Sequence, residues 1–372
     1  MSKLTRYKLS DLYEISSGIS STKEQAGHGY PFVSFSTVFN NFFLPEELPD
    51  LMDTSSEEQE TFSVKKDDVF ITRTSETVDA LAMSCVAVKD YPKATFSGFV
   101  KRLRPKKKGI VYSRYIAFFL RSKYFRKVLD CNTIMTLRAS FNEDIFSFLY
   151  LYLPNYEEQV RIGDFLYKIE MKIRKNNKIN DNLEQQMHLI FENMMSKATT
   201  HKLPGKYTIA QNLTSVVTGK EDANFSVTNG KYKFFTCSNT PLLCDDYVFD
   251  SSSILIAGNG DFNVKHYSGM FNAYQRTYVL TPDKKYFALL YLASLYRINS
   301  FKSRSSGSIV KFITKSDVEN IPVFIPNDIS YLQELNKLIY LQEQNKLENE
   351  LLIKLRDWLL PMLMNGQATI SD

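Results

Sequence analysis

The chain has 372 residues, 44% of them hydrophobic and 23% charged, with a net charge of +5. That is enough to bury a sizeable core over two or three domains, and no apolar run approaches the eighteen residues a membrane helix needs. Charges in the opening MSKLTRYKLSDLYE leave no signal-peptide core, so the expected location is cytoplasmic, without membrane attachment, and scattered Cys85, Cys131, Cys237 and Cys244 read as reduced thiols.

In chain order, the elements are written twice. Each half opens on a tyrosine-led segment ending in glycine, "YKLSDLYEISSG" from Tyr7 and "YTIAQNLTSVVTG" from Tyr207, then a short aromatic strand from Tyr30 or Tyr232. Apolar β-type runs follow, Val69 to Thr72 and Ile254 to Ala257, entering the polar turns "RTSETVD" and "GNGDFN". A strand then meets "RPKKK" or "TPDKK", a short helix starts at Tyr115 or Tyr286, and an apolar strand ends at Pro154 or Pro326.

A long helix follows each proline. Capping-box spacings at Asn155 with Glu158 and at Ser330 with Gln333 predict helices over about 157–197 and 331–365, and "TTHKLPGK" is the linker between copies. Alternating steps of four and three give the first seam as Ile162, Leu166, Ile169, Ile173, Asn176, Asn180, Leu183, Met187, Ile190 and Met194. The same steps 169 residues later give Tyr331, Leu335, Leu338, Gln342, Asn345, Asn349, Leu352, Arg356, Leu359 and Leu363. A helix this long with one oily seam needs a partner, and antiparallel pairing of the two makes Asn176 and Asn180 meet Asn345 and Asn349. A central polar layer costs stability but penalises slipped registers, because a slip buries unpaired amides.

The expected organisation is therefore α+β with an internal twofold repeat. Two mixed α/β domains, 1–154 and 199–326, are joined by two long antiparallel coiled-coil helices within segments 155–198 and 327–372.

Catalytic constellations are missing from this pattern. The four histidines lack zinc spacing, Gly258-Asn259-Gly260 reads as a hairpin turn rather than a phosphate loop, and Glu170-Met171-Lys172, about 120 residues from Asp50, lies on the long helix, where Glu170 reads as a surface charge. No methyltransferase tetrad of the N-P-P-Y kind occurs. From Tyr91 to Leu129, by contrast, twelve Lys or Arg stand without one Asp or Glu, a composition suited either to a solvated face or to a phosphate-binding surface.

Pro154-Asn155-Tyr156-Glu157-Glu158-Gln159 with Ile162, Leu189-Ile190-Phe191 and Trp358-Leu359-Leu360 carry a likeness to a known family. Together with the twofold repeat, the chain resembles the DNA-specificity subunit of type I restriction–modification systems; its second helix departs, having Ser330 to Glu334 where a Glu-Gln pair is usual. The resemblance implies a non-catalytic chain with two target-recognition domains, each reading one half of a bipartite double-stranded DNA sequence. It further implies two methyltransferase subunits using S-adenosylmethionine and restriction nuclease–translocase subunits using ATP and Mg, with no cofactor in this chain. A repeat-built scaffold for proteins, or the specificity part of another restriction–modification type, is the alternative.

On that reading, the base-reading candidates of the first domain are Arg73, Thr74 and Ser75, with Thr136 and Arg138. Those of the second are Asn259, Asn263, Lys265 and His266, with Arg304, Ser305, Ser306 and Lys311. Lys101, Arg102, Arg104, Lys106, Lys107 and Lys108 are the phosphate candidates, and Gln275-Arg276, inside "AYQRTYVL", is assigned to a structural strand.

Overall fold

The computed structural model describes residues 4–75, 81–132, 139–260, 262–304 and 312–370. They form two units, Met1–Ile173 with Leu351–Asp372, and Arg174–Glu350. Among the described residues, no helix is long and apolar enough to cross a membrane.

The central sheet of the first unit has four antiparallel strands in the order Tyr13–Ser17, Val100–Pro105, Val69–Thr72, Ser84–Val86. Val69, Phe70 and Ile71 are all buried, as a central strand covered on both faces requires. Thr5–Lys8 pairs with Tyr150–Leu153, tying the start of the half to its end. The second unit repeats this plan. Val216–Thr218, Thr277–Leu280, Phe249–Ala257 and Val264–Ala273 are neighbours in the same order, extended by Tyr232–Phe235 and Leu242–Cys244. Gly205–Ile209 pairs with Pro322–Pro326 as the closing ladder.

Each half has a buried helix where the aromatic runs predicted one, Ser113–Phe119 in the first and Phe287–Arg304 in the second. The two long helices run over Tyr156–Thr199 and Ser330–Met364. Asn155 caps the first, its side-chain oxygen accepting from the Glu158 amide at 2.9 Å, although the Glu158 carboxylate turns to Arg161 at 2.6 Å and leaves the capping box half made. The expected Ser330 cap is replaced: Asp328 accepts from the Ser330 amide at 2.9 Å.

Glycine inside a helix costs about 1 kcal/mol against alanine, so Gly163 needs a reason. A β-carbon there would lie 2.7 Å from the Tyr115 backbone nitrogen, so its absence lets the long helix lie directly on Ser113–Phe119. Gln159 secures the same contact, accepting from the Tyr112 amide at 3.0 Å and donating to Ile110 and Pro154 carbonyls at 3.0 and 2.9 Å.

The first predicted seam is buried apart from half-buried Ile190, whereas in the second Leu335, Gln342, Asn349 and Leu363 are buried and the other positions half-buried; Glu170, expected as a surface charge, is buried as well. Ile162, Leu166, Ile169 and Ile173 line the first seam within the first unit, where Leu363 and Met364 from the C-terminal helix join the same core and Arg356 pairs with Glu170 at 3.0 Å. Within the second unit the asparagines meet as the antiparallel register demands. Asn176 donates to Asn349 at 2.9 Å and to Glu348 at 2.7 Å, Asn349 donates to Asn177 at 2.8 Å, and Asn345 donates to Asn180 at 2.9 Å.

These contacts set opposite expectations for single and double replacement. Asn176→Leu alone leaves the Asn349 carbonyl oxygen without this donor in a buried site and should cost about 1–3 kcal/mol in urea unfolding. Asn176→Leu with Asn349→Leu should recover much of that loss while weakening register specificity. A double variant no more stable than the single one would show that these amides are not coupled.

Candidate nucleic-acid interface

The strand Val100–Pro105 exposes little of its positive charge. Lys101 and Arg102 are buried, with Lys101 Nζ donating to Ser17 Oγ at 2.8 Å and Arg102 Nη1 to the Ser63 carbonyl at 2.7 Å. Arg104 grips the buried Asp68 carboxylate with two nitrogens, at 2.7 and 2.6 Å, and adds a bond to Ser63 O at 2.9 Å. The Asp68 bonds raise the already high pKa of Arg104, whereas burial lowers that of Lys101, helped by the nearby Arg73 charge and opposed by Glu143.

These three phosphate candidates thus make bonds within the protein that fix the loop around Ser63 and the strand Tyr13–Ser17. The rest of the basic run divides the same way. Arg121 donates to the carbonyls of Ser84, Val38, Phe39 and Asn41, and Arg114 binds Asp164. Lys106, Lys107 and Lys108 remain exposed in the following turn, with Lys106 Nζ resting on the Ser10 carbonyl at 2.8 Å.

Arg73 is exposed at the end of the central strand Val69–Thr72. Thr74 and Ser75 form the short strand that pairs with Ala139–Ser140. Thr136 and Arg138, like Ser305, Ser306 and Lys311, lie outside the described residues, and Arg304 is placed only as the last residue of the helix Phe287–Arg304.

In the second unit most reading candidates are also tied into the protein. Asn263 donates to Cys237 O at 2.8 Å, and Lys265 donates to the carbonyls of Thr236 and Ser238, so both brace the 236–240 loop rather than project from it. His266 is engaged within the protein as well. Its side chain is 3% exposed, with Nδ1 3.1 Å from Glu343 Oε1 and Nε2 3.0 Å from Gln342 Oε1. It joins the sheet to the C-terminal helix of the same unit, assisted by Ser268 on Glu343 at 3.0 Å and by the Lys233–Glu350 ion pair. Asn259 stays half-buried in the turn after Phe249–Ala257.

Arg276, set aside as part of a strand, is exposed. Tyr274–Thr277 is a turn closed by the Thr277 amide on Tyr274 O at 2.8 Å, and the strand begins only at Thr277. The Gln275 side chain is bonded to Asp222 at 2.6 Å. Among the described residues, no group of three or more His, Cys, Asp or Glu side chains could hold a metal ion.

Each unit thus carries an exposed arginine next to its copy of the central sheet, Arg73 in the first and Arg276 in the second. The Type I restriction modification DNA specificity domain matches residues 1–185 and again 206–356. The chain belongs to this family. A curated relative, the Type I restriction enzyme EcoDI specificity subunit of Escherichia coli, is 35% identical over 164 residues, covering 42% of this chain and 37% of that protein. The match thus spans little more than a third of the relative. A solved type I restriction–modification S subunit from M. genitalium has a similar fold, with TM-score 0.64 at 14% identity over 97% of this chain and 96% of that one. The HsdS subunit from Thermoanaerobacter tengcongensis aligns over 98% of this chain and 97% of that one, with TM-score 0.38 and 14% identity.

Two predictions separate structural charges in this specificity-family chain from surface ones. Arg104→Ala strands the buried Asp68 carboxylate and should cost about 3 kcal/mol in urea unfolding, whereas Arg73→Ala should stay within about 0.5 kcal/mol; equal effects would refute the division. The second concerns Glu343. Burial raises its pKa, but the His266 hydrogen bond and charge, Ser268 and Lys346 outweigh burial and hold the carboxyl below its usual range. A carboxyl with a depressed folded-state pKa contributes its full stability above the ordinary carboxylate pKa and loses it as pH falls through the folded value. Glu343→Gln should therefore reduce stability at pH values above the ordinary carboxylate range, with variant and wild type converging as pH falls through the folded value. A gap that widens in acid would contradict the assignment.

Proposed function

We propose that this chain is the DNA-specificity subunit of a type I restriction–modification complex, with each unit reading one half of a bipartite duplex target. The observation that carries this reading is that the family's DNA-specificity domain occurs twice, on a fold whose central sheet is also built twice. Such a chain supplies recognition and no chemistry. Two methyltransferase subunits would bring S-adenosylmethionine, and nuclease–translocase subunits would bring ATP and Mg. The site of action would be the cytoplasm.

Apolar side chains left on the long helices support a role in holding partners. Leu189 is 65% exposed, and Tyr340 and Leu347 are exposed too, in the second unit; in the first, Trp358 is 65% exposed and Leu351, on the same helix, is exposed as well. Exposed large apolar groups of this kind fit protein docking better than open solvent.

Co-expression with the partner methyltransferase subunit, followed by methylome sequencing, tests the proposal. Adenine methylation should appear at one bipartite sequence only when both chains are present. Exchange of the segment from Tyr207 to Pro326 for that of a relative should change one half of the sequence and leave the other. Labelled methyl transfer by the purified chain alone, or loss of both halves on exchange, would refute it.

A further inference from the structure

The two units share more than strand order: one exposed turn is held by the same five backbone hydrogen bonds in each. In the first unit the turn Ser97–Val100 is closed by Val100 N on Ser97 O at 2.9 Å, and Ser97 N donates to Val33 O at 3.0 Å. Gly98 N reaches Ile19 O at 2.7 Å, while Phe99 O accepts from Arg73 N at 2.9 Å and Arg73 O from Phe141 N at 2.8 Å. In the second unit Thr277 N closes on Tyr274 O at 2.8 Å, Tyr274 N donates to Phe235 O at 2.9 Å and Gln275 N to Glu221 O at 2.9 Å. Arg276 O then accepts from Gly258 N, and Gly258 O from Ile313 N, both at 2.8 Å.

The frame therefore equates Phe99 with Arg276 and Arg73 with Gly258. The five shared bonds are all between backbone groups, so the frame survives while its side chains diverge. What differs is what each tip offers to solvent. The first shows Phe99, 66% exposed, beside exposed Arg73; the second shows Arg276, since Gln275 is bound to Asp222. At Gly258 a β-carbon would lie 2.7 Å from Arg276 O, so this second copy cannot carry a side chain where the first carries Arg73 unless the frame shifts. The guanidinium stands on the turn itself instead, at Arg276.

We infer that this turn is the base-reading tip of each unit, with Arg73 and Phe99 specificity-determining in the first and Arg276 in the second. The inference rests on the proposed DNA-reading function. A reader of two different half-sites needs a constant frame and changeable side chains, and the types presented match base edges: the arginine fork pairs with guanine O6 and N7, and a phenyl ring packs on the thymine methyl. A turn held by these five bonds presents these groups already positioned, which limits the ordering cost of binding. Lys101, Arg102, Arg104, Lys265 and His266 are occupied within the protein, whereas the tip residues Phe99 and Arg276 and the adjoining Arg73 are exposed.

The test uses the full chain and a pool of duplexes randomised at every position, with selected sequences read before and after substitution. Wild type should enrich one bipartite sequence. Arg73→Ala and Phe99→Leu should flatten base preference in one half only, and Arg276→Ala in the other half only. Each variant should bind the selected duplex about 10- to 100-fold more weakly, with little change toward unselected duplex. Arg276→Lys keeps the charge without the fork, so it should lose the preference while retaining unselected binding, and it decides the matter if the alanine variant is unstable. Variants that keep the wild-type preferences in both halves, or blur both halves together, overturn the inference while leaving the DNA-reading function standing. A wild-type chain that enriches nothing overturns the function and the inference with it.

Discussion

An amide buried in an apolar seam has to find a partner, and one alignment of the long helices supplies it. Asn176 reaches Asn349 and Asn180 reaches Asn345, with Glu348 and Asn177 completing the ladder. Sliding either helix by a turn would set an amide against leucine or isoleucine, at a cost of about 1–3 kcal/mol for each group left unpaired. Leucine in the same places would bind more tightly and tolerate several registers. Asn176 Oδ1 finds no partner among the described residues, so the ladder carries some of that cost even in register.

The duplicated units apply the same economy to the sheets. Their shared features are backbone ladders, glycine contacts and closing strand pairs, which depend little on side-chain identity. Their differences lie where a side chain meets solvent or the adjoining helix. In the first unit Asp164 of the central helix receives Tyr112 Oη at 2.6 Å and Arg114 at 2.7 Å. In the second, Asn336 takes the corresponding part, accepting from the Ala288 amide at 3.1 Å and donating to Lys285 O at 2.8 Å. Different residues solve one problem, the fixing of a buried short helix against a long one.

Features set by local periodicity were legible in the sequence: the seams, the strand-to-proline-to-helix junctions and the central strands Val69–Thr72 and Phe249–Ala257 all depend on neighbours a few residues away. Charge placement was not legible, because its partners are distant. Arg104 answers Asp68, Arg121 answers Val38 and Phe39, and His266 answers Glu343, separations of 36, 83, 82 and 77 residues. A basic run without acids therefore looked like a phosphate surface, whereas much of it binds carbonyls from elsewhere in the fold. Arg276 failed for another reason. The segment "AYQRTYVL" has strong β-propensity, but Tyr274 to Thr277 close on themselves before the ladder starts.

The polar joints between each sheet region and its helix follow from what a reading surface must do. A hydrogen bond to a base edge tolerates only a few tenths of an ångström, and a purely apolar contact between sheet and helix allows small sliding at little cost. Gln159 and Asp164 in the first unit, and His266 with Gln342 and Glu343 in the second, replace that freedom with directional bonds whose loss leaves buried polar groups unpaired. Stability alone could have been met by more leucine. Directional joints make sense where the orientation of a tip, and not only its attachment, decides whether a base is recognised.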